Sequence, residues 1–212
     1  MQSYIKIYSK KNPKLIMRAY PGHFVTPRNH VNYYLDIIPM ISRVSEAKAV
    51  AEAFSSFYYG VTAVDTIICM DGMEVVGAYL ADDLTKAGVI SRNMHKTMYV
   101  LSPESSQDGQ LIFRRNVQGW IRDKNVLLLA ARATSGATVS GAVNTLLSYG
   151  AKIVGVSALF STVTKLGGLP MHSLFSPSDI PDYMFYSPDN CQMCKNGEKI
   201  DALCNAHGFT PL

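Results

Sequence analysis

The chain has 212 residues, 48% hydrophobic and 17% charged, with a formal net charge of +4. That is long enough for a full hydrophobic core, and the composition excludes a disordered, collagen-like or low-complexity protein. The basic residues are scattered, with Lys10-Lys11 and Arg114-Arg115 as isolated pairs, so anionic small ligands are expected as partners and nucleic acid is not.

The first residues, MQSYIKIYSKKNPK, lack the apolar region of a signal peptide, and no apolar run reaches about 18 residues. A cytoplasmic location without a membrane partner is therefore expected. Residues 13–36 mix turn formers with aromatics and end in an apolar alternation, which reads as an extended arm or hood. Core packing of Phe24, Tyr33 and Tyr34 is one reading of those aromatics, and His30 reads as a hydrogen-bonded structural histidine.

Ser45 to Tyr59 has apolar residues at helical spacing, with Ser45 as N-cap and Gly60 as the residue that ends the helix. A strand, Ala63 to Cys69, follows. The turn Met70-Asp71-Gly72-Met73-Glu74 then leads into an apolar helix, Val75 to Ala87. Asp71 and Glu74 would repel a diphosphate unless Mg²⁺ lay between them; alternatively, Asp71 starts the turn or caps the helix. Thr97 to Leu101 reads as a strand. Ser102 to Gly119 reads as a hairpin turning at Asp108-Gly109, with Leu111 to Phe113 as its second arm.

Lys124 to Ser161 is the stretch that points to a ligand. Val126 to Leu129 is a short apolar strand, Val139 to Leu147 has helical spacing, and Ile153 to Phe160 is apolar again, which makes a βαβ unit. Thr134, Ser135, Gly136, Ala137 and Thr138 lie where the first strand hands over to the helix. Amides and hydroxyls at a helix N-terminus form a phosphate cradle.

This segment resembles the 5-phosphoribosyl-1-pyrophosphate (PRPP) motif of type I phosphoribosyltransferases: an apolar run, an acidic pair, two apolar residues, then Thr-Thr-Gly-Gly-Thr. The loop matches, but Ala130 and Ala131 stand where the family's ribose-binding carboxylates stand, followed by Arg132. Two lost charge-assisted hydrogen bonds are worth roughly 1.5–3 kcal/mol each. The phosphate half of the motif is thus present and the ribose side degenerate.

Further segments resemble orotate phosphoribosyltransferases. Gly22-His23-Phe24 and His30-Val31-Asn32-Tyr33-Tyr34 follow that group's N-terminal pattern, and the resemblance implies that Gly22, His23 and Phe24 lie beside the base. By order along the chain, Met70, Asp71, Gly72 and Met73 correspond to the pyrophosphate loop. The tail ends in a Cys-x-x-Cys-Lys-x-Gly knuckle, Cys191 to Gly197. Two expected features are missing: the catalytic loop has only Arg114 and Arg115 where lysines are usual, and Phe160-Ser161 replaces an Asp-Arg step that grips the orotate carboxylate.

The spacing of Cys191, Cys194, Cys204 and His207 also allows a zinc site, with a reduced knuckle and a redox pair as alternatives.

The resemblance implies one α/β phosphoribosyltransferase-like domain over residues 1–212. It would have a central, mostly parallel sheet flanked by helices, a small N-terminal hood over 1–44, an α/β core over 45–165 and a C-terminal extension over 166–212. It implies binding of PRPP or a nucleoside 5′-monophosphate at residues 134–138, Mg²⁺ if the chain is catalytic, and a homodimer. Three functions remain open: phosphoribosyl transfer to a base, a catalytically inactive homologue that senses a phosphorylated sugar or nucleotide, or a transferase or lyase acting on a different phosphorylated substrate, with Arg132 filling the space left by the carboxylates.

Overall fold

A computed structural model of the chain describes residues 3–86, 92–93, 97–106, 110–205 and 208–212. Its contacts divide the chain into two compact units, Met40–Leu174 and the combination of Met1–Pro39 with Phe175–Leu212.

The larger unit is built on a six-stranded sheet. The strands run in the order Lys165–Leu166, Leu169–Phe175, Lys152–Ser161, Asn125–Ala133, Thr66–Cys69 and Tyr99–Leu101. Asn125–Ala133 pairs in parallel with Lys152–Ser161 on one side and with Thr66–Cys69 on the other. Thr66–Cys69 in turn pairs in parallel with Tyr99–Leu101. Val126 to Leu129 are all 0% exposed, as are Ile67 and Ile68, which is why these strands read as unbroken apolar runs.

Helices Val44–Ser55, Glu74–Lys86 and Ala137–Ser148 belong to the same unit. Each buries one stripe. Ala47, Val50, Ala51 and Phe54 do so on the first, and Val139, Ala142, Val143 and Leu146 on the third. Each fully buried Val, Leu or Phe stabilises by ~1.5–3 kcal/mol. A Cβ at Gly77 would collide with Cys69 Sγ, so helix and strand approach closely only because that residue is glycine.

Several boundaries differ from the sequence reading. The strand expected over 126–129 runs from Asn125 to Ala133, because Ala130, Arg132 and Ala133 go on pairing with Ala158, Phe160 and Ser161. The helix expected to start at Ser45 has Arg43 at its N-cap without a side-chain cap, and Ser45 falls inside the first turn. Its end comes at Ser55 rather than Tyr59, and Tyr58 turns inward to share a 2.6 Å hydrogen bond with Ser157. The expected hairpin has arms Glu104–Ser105 and Leu111–Ile112, paired antiparallel. Its expected turn at Asp108-Gly109 lies outside the described residues, as does Ala87 at the end of the second helix.

In the smaller unit the arm and the tail share one sheet. Its order is Phe185–Tyr186, His30–Asp36, Ile16–Val25, Ala202–Asn205 and Gly208–Pro211, with Ile5–Tyr8 also paired to Ile16–Val25. Phe24, Val31, Tyr34, Ala202 and Cys204 form its core, and Tyr34 meets Phe209 edge-on at 4.8 Å. The register against His30–Asp36 shifts between Pro21 and Phe24. Such a bulge re-aims side chains, and here His23 turns inward, 2% exposed.

Candidate phosphate site

The chain leaves Thr66–Cys69 for a neighbour on one side of the sheet and leaves Asn125–Ala133 for a neighbour on the other. These two adjacent parallel strands therefore flank a topological switch point, and their carboxyl ends carry the two loops singled out in the sequence. Open α/β sheets bind ligands at such crevices.

After Ala133 the backbone turns through Thr134 and Ser135 to Gly136, which caps the Ala137–Ser148 helix at φ 73° and ψ −9°. Ser135, Ala137 and Thr138 are exposed, Thr134 is half-buried and Gly136 is buried. The loop is held from below. Thr162 Oγ1 donates to the Thr134 carbonyl, and Ser161 Oγ donates to the Ala133 carbonyl at 3.3 Å. The first intrahelical bond runs from the Ser140 amide to the Gly136 carbonyl at 2.8 Å, so the amides before it lie at the positive end of the helix. The Ala137 amide meets Ser135 Oγ at a long 3.4 Å. Amides, hydroxyls and a helix dipole here suit an anion.

On the ribose side, Ala130 and Ala131 are 0% and 1% exposed, and Ala130 sits in the same apolar cluster as Ile68, Leu128 and Val156. Arg132 is half-buried. The alanines thus continue the buried strand and offer a sugar no polar atom from their side chains.

At the other junction, Asp71 and Gly72 take left-handed φ values of 56° and 82° and are exposed, while Met70 and Met73 pack inward at 6% and 0% exposure. The two methionines anchor the loop, and Asp71 and Gly72 form its tip. Glu74 Oε1 accepts a hydrogen bond from Ser102 Oγ at 2.6 Å. Burial, and secondarily the Glu74 charge, push the Cys69 thiol far above its ordinary range, so it stays a core thiol. Arg114 forms a two-pronged pair with Glu104 across the ribbon, with contacts from 2.5 to 3.1 Å.

The remaining expected residues lie in the smaller unit. His23 and Phe24 are buried there, so these two side chains have no exposed face to offer a base. The zinc set expected from spacing lies only partly within the described residues. Cys191 and Cys194 converge with His23 and His30, whereas Cys204 belongs to the aromatic core, and His207 lies outside the described residues. Sequence spacing missed the two histidines because the bulge at Gly22-His23 and the pairing of two strands bring them in.

No family model matches the chain. It is 28% identical over 197 residues to an orotate phosphoribosyltransferase of Wolinella succinogenes, covering 84% of this chain and 87% of that one. It is 26% identical over 198 residues to one of Sulfurimonas denitrificans, covering 84% and 88%. An adenine phosphoribosyltransferase of Trypanosoma brucei has a similar structure, with TM-score 0.55 and 14% identity over 84% of this chain and 81% of that one. A phosphoribosyltransferase of Corynebacterium diphtheriae gives TM-score 0.54 and 15% identity over 76% and 89%. The fold is that of the type I phosphoribosyltransferases. Within that class the chain resembles the orotate phosphoribosyltransferases, with the acidic pair of the PRPP motif replaced by Ala130-Ala131. Among the described residues, no helix is long and apolar enough to cross a membrane.

Proposed function

We propose that this phosphoribosyltransferase-type protein binds the 5′-phosphate of PRPP or of a nucleoside 5′-monophosphate at Thr134–Thr138. The observation that carries the reading is the exposed, amide-bearing turn capped by left-handed Gly136 at the carboxyl end of a switch-point strand. The resemblance to orotate phosphoribosyltransferases over most of the chain supports a role in nucleotide metabolism, as a cytoplasmic homodimer. Transfer chemistry would stabilise an oxocarbenium-like sugar and a departing diphosphate by electrostatics. Mg²⁺ fits such a reaction at Asp71 and Glu74, since this ion binds through one or two carboxylates together with substrate phosphates. It would supply charge neutralisation of the diphosphate.

A second reading, a catalytically inactive homologue that senses a nucleotide or phosphorylated sugar, is favoured by the buried methyl groups of Ala130 and Ala131 and by the engagement of Arg114 with Glu104. Titration calorimetry with PRPP, ribose 5-phosphate, a nucleoside monophosphate and orotate, combined with diphosphate release from PRPP plus mixed bases, separates the two. Diphosphate release with any base rejects the sensor. Monophosphate binding without release rejects the transferase, and no binding of any phosphorylated ligand overturns both.

A further inference from the structure

We propose that His23, His30, Cys191 and Cys194 form a closed zinc site that ties the N-terminal strands to the C-terminal tail within the smaller unit. The four ligand atoms lie within 4.8 Å of one another. His23 Nε2 is 3.0 Å from His30 Nδ1 and 3.6 Å from each cysteine sulfur, and Cys194 Sγ is 3.3 Å from His30 Nδ1. A tetrahedral zinc with its usual bond lengths has edges of about 3.3 Å between nitrogens, about 3.6 Å from nitrogen to sulfur and about 3.8 Å between sulfurs. The two His23-to-sulfur spacings match such an edge, and the other two fall about 0.3 Å short of theirs. A set this compact suits one ion, because a Rieske-type cluster places its cysteines and histidines on separate irons and spreads them further apart.

Hydrogen bonding alone accounts poorly for the cluster. His23 Nδ1 donates to the Glu198 carbonyl at 3.1 Å, so the neutral ring carries its lone pair on Nε2. That single lone pair is approached by an imidazole nitrogen and two sulfurs. A cation at their centre takes one electron pair from each group. The Cys194 amide donates to Cys191 Sγ at 3.5 Å, which fixes the position of that sulfur. Three of the four residues are buried, at 2% for His23, 8% for His30 and 1% for Cys191, while Cys194 is exposed and gives the ion a route in. Four protein ligands leave no position for a reacting water, so the role is structural. A small unit with a compact aromatic core gains most from such a cross-link, which joins residues 168 apart in sequence.

The test is metal analysis and Co(II) titration of the purified full chain. About one zinc per chain is expected, and Co(II) should give thiolate-to-cobalt charge transfer with the strong visible bands of a tetrahedral site. Removing the metal with a chelator should lower the melting temperature, and Zn(II) should restore it. His30→Gln and Cys194→Ser should lose the metal, whereas Cys204→Ser and His207→Gln should keep it. Because a ligand variant can fail to fold, the wild-type chain decides: no zinc after refolding with Zn(II), and no cobalt spectrum, overturns the site. Metal loss in His207→Gln with retention in His30→Gln overturns it equally, in favour of the tail's own residues.

Discussion

The phosphate loop of the larger unit is contiguous, Thr134 to Thr138, and offers mainly backbone, whereas the metal-capable cluster of the smaller unit gathers four side chains between His23 and Cys194. A backbone site is fixed by the strand that delivers it and by one φ angle, so it survives the loss of most single side chains. It also says little about what is attached to the phosphate. A side-chain site selects one kind of ion through donor type and spacing, and one substitution destroys it. Two ways to place an electrostatic trap thus coexist in one chain, and they should fail differently.

The largest expected effect comes from the strand that delivers the loop. Ala130→Glu would restore a carboxylate at the family's ribose position, yet Ala130 is 0% exposed within the apolar core. Burying an unpaired carboxylate there should destabilise the fold by roughly 3–5 kcal/mol, seen as a lower urea midpoint. A variant that keeps its midpoint and binds PRPP more tightly would show that the strand end opens to a sugar, which would break the division between buried strand and exposed loop.

Next in size is Gly136→Asp. A carboxylate in the anion cradle should weaken ribose 5-phosphate binding by about 100-fold in calorimetry. Gly136→Ala separates charge from strain. Its Cβ would stand 3.0 Å from Leu166 at φ 73°, so stability should fall by ~1–2 kcal/mol while binding stays within about tenfold. Equal binding by wild type and the Asp variant would reduce the loop to a tight turn.

These contrasts also explain what could be read in advance. The βαβ unit was legible because its strands are buried on both faces and its phosphate loop is one uninterrupted segment. Ala130 and Ala131 were legible as missing carboxylates, but not as residues that prolong the strand, since that depends on pairing with Ala158, Phe160 and Ser161. In the tail, Phe185–Tyr186, Ala202–Asn205 and Gly208–Pro211 are too short for periodicity to register. The metal cluster was half legible. Cys191-x-x-Cys194 announces itself by spacing, whereas His23 and His30 join it through a bulge and long-range pairing. Two histidines in a hood, considered together with a Cys-x-x-Cys tail, were the signal available.

The smallest expected effect asks whether the backbone loop works alone. Arg114 and Glu104 are both largely exposed, at 67% and 54%, and their pair belongs to the ribbon Glu104–Ser105 and Leu111–Ile112. The hydrogen bond from Arg114, aided by its charge and opposed by desolvation, holds the Glu104 carboxyl below its ordinary value. A depressed carboxylate contributes stability above its unfolded pKa and loses it as the pH falls through the folded one, so any contribution belongs to neutral pH and should fade under acid and in high salt. Glu104→Gln should therefore leave the melting temperature within error. If the cradle is built from backbone, phosphate affinity at neutral pH should change by less than about twofold. A several-fold gain would instead make the released Arg114 a cation that reaches the anion, and the loop would count as a composite of backbone and side chain.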